Sequence, residues 1–300
     1  MRVSVLVSTC NRCDKLRLLL DTLKAKGPAW PPETEVLVID NNSSDATRQV
    51  VTEYTSLEDP VFRYLLESRP GKSRALNAGI REASGEIIAF TDDDCIPNSN
   101  WVASILEEFE SDSELSVLGG RVELYDQRDV PQAILLSNRR TLVTNAREVC
   151  ETPAIIGANM AFRKTVLQST RGFDPLLGPG SICKAFEDLD LIYRSLKKKT
   201  RIVYSPEVMV FHNHGRRTEL DDNKTSAAYA LGRGAFYVKC ILRLDFQIAK
   251  LAVRELYSLA KTLTKGVITR TNCPYHRLTL PAIFRGAFYY CQARLSWKPL

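Results

Sequence analysis

The sequence predicts an α/β fold built on a parallel sheet with both faces covered, followed by a smaller helical segment. Three observations predict it. Strand-length apolar runs alternate with amphipathic stretches through roughly the first 115 residues. Those runs lack polar alternation, the pattern of strands buried on both sides. The charge is also unevenly placed: residues 1–220 carry a balance of −3 and residues 221–300 a balance of +9, within a total of +6 over 300 residues.

Val3–Thr9 is an apolar strand, and Leu16, Leu19, Leu20 and Leu23 then fall on one face of a helix. Glu35–Asp40 is the next buried strand, and the Asn41-Asn42-Ser43-Ser44-Asp45 run supplies turn and cap chemistry before a helix through Val51 and Tyr54. A strand is expected at 62–66, a helix at 73–83 ending at Gly85, and a strand at 86–91 running straight into Asp92, Asp93 and Asp94. Trp101, Ile105 and Phe109 mark the next helical face. Strands are then expected at 117–124 and 155–162, a helix at 186–196, and two short strands at 201–204 and 208–211. Beyond residue 221 the text is helical, basic and aromatic, with Tyr229, Phe236, Tyr237, Phe246 and Tyr257. The charge shift places a boundary near 220.

A hydrophobic content of 44% excludes a wholly disordered or collagen-like chain. The eight cysteines, at 10, 13, 95, 150, 183, 240, 273 and 291, are scattered, which favours reduced thiols and a cytoplasmic setting. Cys10 and Cys13 form a C-x-x-C after the first strand, but nothing else in the text supports a redox or zinc site. The first apolar run is too short for a signal peptide, and no uncharged stretch reaches the length of a membrane span.

In an open parallel sheet, ligands bind beyond the carboxyl ends of the strands. Three such ends are polar here: Thr9 with Asn11 and Arg12, Asp40 with Asn41 and Asn42, and the Asp92–Asp94 triad. Three adjacent carboxylates repel one another unless a cation or solvent relieves them. Oxygen donors at that density suit Mg²⁺ or Mn²⁺; the alternative is a solvated acidic turn, and spacing alone leaves both open. Arg69-Pro70-Gly71-Lys72-Ser73-Arg74 offers a glycine and cations at a helix start, a setting for a diphosphate or for an ordinary turn. The Walker spacing is absent, and no G-x-G-x-x-G follows the first strand, which excludes a nicotinamide dehydrogenase.

The order of motifs resembles the family 2 glycosyltransferases of the GT-A fold. The matching text is Val-Ser-Val-Leu-Val-Ser-Thr-Cys-Asn-Arg (3–12), Val-Ile-Asp-Asn-Asn-Ser-Ser-Asp (38–45), Gly-Lys-Ser-Arg-Ala-Leu-Asn-Ala-Gly (71–79) and Phe-Thr-Asp-Asp-Asp (90–94). It continues with Gly-Ala-Asn-Met-Ala-Phe-Arg (157–163), Gly-Phe-Asp (172–174) and Phe-Glu-Asp-Leu-Asp-Leu (186–191), so the resemblance covers about residues 1–215. It implies a Rossmann-like mixed sheet with helices on both faces over a catalytic domain at 1–220, and a helical segment at 221–300. It also implies an inverting, metal-dependent transfer from a nucleotide-sugar donor to a hydroxyl of a glycan or lipid-linked acceptor, in surface polysaccharide or glycolipid synthesis.

Carried over residue by residue, Thr9, Asn11, Arg12, Asp40, Asn42, Arg69, Lys72, Arg74, Asn77, Asp92 and Asp93 are expected on the donor side. Asp94, with Asp92 and His212, is expected to hold Mn²⁺ or Mg²⁺. Gly157, Ala158, Asn159 and Glu187 are expected on the acceptor side, and Asp188 as the base that takes the acceptor's proton. His214 is the alternative to His212. Asp190 with Arg194 reads as a helix-surface pair and is the less favoured base. The Q-x-x-R-W signature of processive synthases is not matched by the text from Gln292 to Trp297. A non-catalytic sugar-nucleotide or glycan-binding module is disfavoured by intact Asp94 and Asp188. A sugar nucleotidyltransferase is disfavoured by the loop after the first strand, which is not rich in Gly, Arg and Lys. The basic segment 221–300 reads first as helices packing with charged outer faces, and second as a contact with an anionic membrane on the cytoplasmic side. No nucleic-acid-binding module is recognisable in it.

Overall fold

The apolar runs at Val3–Thr9 (β1) and Glu35–Asp40 (β2) lie parallel and in register, with Val5 opposite Val36 and Thr9 opposite Asp40. Every residue of β2 is buried, and so is all of β1 but one, which explains why neither run alternates. The structure, a computed structural model, describes residues 2–26, 30, 34–56, 61–269 and 274–296, so Cys273 and Trp297 lie outside the described residues. The chain divides into two compact units: Met1–Phe173 with Asp188–Gly215, and Asp174–Glu187 with Arg216–Leu300.

In the first unit, β1 is flanked by β2 and by β4 (Ile87–Asp92), and β3 (Val61–Leu66) lies beyond β2, all parallel. The connecting helices are α1 (Cys13–Lys26), α2 (Thr47–Thr52) and α3 (Lys72–Glu82), and α4 (Trp101–Ser111), α5 (Ala146–Cys150), α6 (Lys164–Thr170) and α7 (Glu187–Lys197) follow along the chain. Leu16, Leu19, Leu20 and Leu23 of α1 are buried in the core with Val3, Val5, Val7, Val36 and Val38. Past β4 the sheet turns mixed, as the resemblance implies and the alternation alone does not. β8 (Asn159–Arg163) runs antiparallel between β4 and β6 (Leu115–Leu124), and β9 (Arg201–His212) runs parallel to β6. The strand order is β3-β2-β1-β4-β8-β6-β9, closed by the three-residue β5 (Cys95–Pro97), with β7 (Thr141–Leu142) also on β9.

Two expectations shift. The strands expected at 201–204 and 208–211 are one twelve-residue strand whose register on β6 jumps from Ser205 to Met209. Pro206 lies in the jump and has no N–H to give the ladder. The strand expected from Ile155 begins only at Asn159, because Gly157 is turned toward another element.

The second unit is built on α8 (Glu219–Ile241), α9 (Phe246–Thr269) and α10 (Pro274–Ser296). Gly234 of α8 and Gly286 of α10 are contact points: a Cβ on Gly234 would meet the Ile283 carbonyl, and one on Gly286 the Leu231 carbonyl. The segment 174–187 is part of this unit. Its Asp174 accepts from the buried Lys239 at 2.7 Å and from the Tyr290 hydroxyl at 3.0 Å, and its Phe186 ring packs against Phe236. No described helix is long and apolar enough to cross a membrane.

Candidate active site

Chain order makes β1 and β4 neighbours although β2 and β3 intervene in sequence, so the crevice beyond their carboxyl ends is the switch point where α/β sheets bind ligands. Thr9 closes β1, buried, and the three aspartates follow from the end of β4. The half-exposed Arg12 guanidinium bridges them, donating to Asp93 Oδ1 at 2.9 Å and Asp94 Oδ2 at 3.0 Å. Burial pushes the Asp93 carboxyl up to about 6, helped by Asp94 and opposed by Arg12. Asp94 goes the other way. Burial acts to raise it, but the hydrogen bond and charge of His212, with Arg12 and Lys15, hold it well below the usual carboxylate range.

His212 ends β9 directly across from Cys95 of β5, which immediately follows the triad. Its Nε2 lies 3.3 Å from Asp94 Oδ1, and its buried Nδ1 has no hydrogen-bond partner among the described residues. Asp94, Cys95 and His212 each offer a ligand atom within 4.8 Å of the others. The carboxylate and imidazole suit Mn²⁺ or Mg²⁺, whereas the Cys95 thiol is soft and burial raises its pKa well above the usual value. Asp92, expected as a further metal ligand, is instead paired with Lys72 at 2.5 Å. His214 is turned to Asp129 at 3.5 Å, and Lys15 donates to the carbonyls of Asn213 and His214.

Beside this cluster, the buried Asp40 carboxylate accepts from Ser43 N–H and from the Tyr64 hydroxyl, each at 2.8 Å. Asn11 laces the loop after β1 to the loop after β2, its Oδ1 accepting from Ser44 N–H at 2.7 Å. Asn11 and the exposed Asn42 both sit in the left-handed region, which Asn tolerates. Asn41, polar at the same strand end, carries no expected donor-side role. Its amide donates to the carbonyls of Glu67 and Arg69 and accepts from Gly71 N–H, clamping the loop before α3. Gly71 adopts φ 124°, a conformation open to glycine, and sets Lys72 and Arg74 in the first turn of α3. Arg69 is exposed and locked to Glu67 in a two-bonded pair. Asn77, expected on the donor side, has its amide bonded at both ends to the Phe173 backbone. It joins α3 to the turn at Gly172.

On the other side of β4, Thr91 pairs with Asn159, so Gly157 and Ala158 lie just beyond the strand end that leads into the triad. The half-buried Asp188, near the start of α7 (Glu187–Lys197), accepts from Gly157 N–H through Oδ2 at 2.9 Å and from Leu189 N–H through Oδ1 at 2.8 Å. A Cβ on residue 157 would come within 2.7 Å of Asp188 Oδ2, which is why a glycine stands there. Burial raises the Asp188 pKa and the Asp92 charge adds to it, while the two backbone donors and Lys72 oppose. Asp188 is thus within electrostatic reach of the Lys72–Asp92 pair. Asn159 requires a correction. It is 0% exposed, donates to the Arg121 and Val208 carbonyls, and accepts from Trp101 Nε1, so it braces the sheet and cannot touch an acceptor. Ala158 is buried likewise. Glu187 is buried in the second unit, against Gly178. Asp190 is bonded to Arg194, which also donates to the carbonyls of Thr170 and Gly172.

The first unit therefore brings Thr9, Arg12, Asp40, Lys72, Asp92, Asp93, Asp94, His212 and Asp188 to one end of the sheet, and draws Asn77 and Asn159 into the framework. Residues 4–171 match the model of the family described as glycosyl transferase family 2. Among curated proteins, the chain is 30% identical over 122 residues to the glycosyltransferase AglE of Haloferax volcanii, covering 40% of this chain and 39% of that protein. It is 24% identical over 240 residues to the pre-mycofactocin glycosyltransferase of Mycobacterium tuberculosis, covering 78% of this chain and 46% of that protein. The chain thus spans less than half the length of either relative. Among solved structures, the mannosyltransferase PcManGT of Pyrobaculum calidifontis, solved with GDP-Man and Mn²⁺, superposes with a TM-score of 0.63 at 19% identity, over 97% of this chain and 87% of that one. That similarity concerns the fold.

Proposed function

The chain belongs to glycosyl transferase family 2, and from that premise we propose that it is an inverting, metal-dependent glycosyltransferase. It moves a sugar from a nucleoside-diphosphate donor to a hydroxyl of a glycan or lipid-linked acceptor. One observation carries this reading: Asp188, fixed by two backbone N–H groups, is bonded to Gly157 just beyond the Thr91–Asn159 pair at the strand end that leads to Asp94.

Asp40 still has lone pairs to accept from the N–H of a nucleotide base, beside Thr9. Lys72 and Arg74, in the first turn of α3, offer cations to the diphosphate at a helix N-terminus. Arg12 keeps the acidic triad compatible with burial. Asp94 and His212 fit a divalent cation, since the carboxylate is held ionised and the imidazole turns its Nε2 to within 3.3 Å of it. A Mn²⁺ or Mg²⁺ held there would supply countercharge to the departing diphosphate.

Asp188 takes the proton of the acceptor hydroxyl as that oxygen attacks the anomeric carbon, and a single in-line displacement inverts the centre. Its raised pKa makes it a stronger base than an exposed aspartate. The Gly157 and Leu189 N–H groups hold both oxygens, so the carboxylate is oriented before the acceptor arrives. The mannosyltransferase with the same fold, solved with GDP-Man and Mn²⁺, supports the donor and metal classes. Asp188→Asn is expected to lower the transfer rate by about 10²–10⁴-fold, with donor affinity by calorimetry unchanged. Near-normal turnover in that variant would refute the assignment.

A further inference from the structure

We propose that the outer face of α9 is a docking surface for an anionic lipid bilayer. This inference stands on the helical unit alone and does not depend on the chemistry proposed for the sheet end.

Ile248, Leu251, Ala252 and Leu259 turn one face of α9 inward. The opposite face carries Phe246, Val253 and Tyr257, spaced seven and four residues apart and therefore aligned on one stripe. They are 81%, 68% and 68% exposed. Rings and branched chains at that exposure contribute little to folding, since most of their surface stays in water. Along one edge of the stripe run Lys250, Arg254, Lys261 and Lys265, also at four- and seven-residue spacing and all exposed.

Acidic residues are turned away. Glu255, the one carboxylate within α9, is half-buried and bonded to Arg233 and Tyr237 of α8. Asp245, just ahead of the helix, points its carboxylate back at the N–H groups of Gln247 and Ile248. The stripe therefore presents apolar and cationic groups together. The turn leading into α9 extends it. Leu242 and Leu244 are 56% and 76% exposed, and Leu244 sits at φ 58°, where glycine or asparagine is the unstrained choice. A bulky side chain is kept at a position the backbone does not favour and the core does not use.

An apolar stripe flanked by cations on one side of a helix matches the boundary between acyl chains and phosphate headgroups. The charge selects that occupant over a second copy of this chain, because two such faces brought together would oppose cation to cation.

The test uses the full chain, without donor or metal, in flotation with phosphatidylcholine vesicles with and without a third of phosphatidylglycerol. Binding to the anionic vesicles at about 0.1 M salt, weakening as salt rises, is expected. Lys250→Gln with Lys261→Gln should lower the partition about fivefold for each cation removed. Phe246→Ser with Tyr257→Ser should lower it about tenfold or more. These side chains are exposed, so unchanged melting midpoints will show that the variants are folded. Absence of binding to anionic vesicles, or binding that neither double variant alters, would overturn the proposal. So would lipid-free self-association in sedimentation velocity that Phe246→Ser with Tyr257→Ser abolishes, since the face would then pair with its own copy. Each of these outcomes leaves the glycosyltransferase reading standing.

Discussion

A methyl group on residue 157 would meet Asp188 Oδ2 at 2.7 Å and Asp188 Cβ at 3.0 Å, atoms of a side chain and not of the backbone. Gly157→Ala should therefore displace the carboxylate and leave the backbone in place. A shift of about 1 Å in a reacting group costs about 10²-fold in rate, so we expect kcat to fall by that order while the melting midpoint barely moves. A matching collapse of stability would show that residue 157 serves packing instead. The same neighbourhood shows what single residues disclose in a sequence. Asp94 was legible because carboxylates after a buried strand need a reason to be there, and Asp188 only through the Glu-Asp motif of the resemblance. The roles of Asn77 and Asn159 were not: an amide bonded to a nucleotide and one bonded to a carbonyl are the same letter. Their burial and partners decide it.

At the scale of elements, segment 174–187 belongs with residues 216–300 though it is distant from them in sequence. It is short and of mixed character, and its attachment to the helices rests on Asp174 meeting Lys239, a cation 3% exposed. Burial acts to raise the Asp174 pKa, but the Lys239 charge outweighs it and holds the carboxyl low. The stabilising contribution is thus present above the ordinary aspartate range and lost as the pH falls below about 4. Asp174→Asn leaves Lys239 buried without its counter-charge and should destabilise the protein by about 3–5 kcal/mol, measured by urea unfolding at pH 7. The difference from the wild type should shrink in acid. Elements with a local signal were readable: α5 (Ala146–Cys150) carries Asn145 and Glu148 as a reciprocal capping box, a spacing that sequence inspection could have used. β5, at three residues, has no such signal, yet it sets Cys95 opposite His212.

For the molecule as a whole, a ligand that binds the folded chain raises its melting temperature by mass action. At a hundred times its dissociation constant the gain is about 2.7 kcal/mol. A nucleoside diphosphate with Mn²⁺ should raise the midpoint, EDTA should remove most of the gain, and Asp94→Ala should make the rise independent of metal. An equal rise with and without the cation in the wild type would count against a metal at Asp94 and His212. The mixed character of the sheet lay beyond periodicity alone, because β8 differs from the parallel strands in its partners and not in its composition. The polypeptide passes from one unit to the other three times, at 173–174, 187–188 and 215–216. A protease that nicked the chain at 215–216 would sever it without releasing either piece. The N-terminal fragment would remain tethered through residues 174–187, seated among the helices of the other, so the two would travel together until denatured.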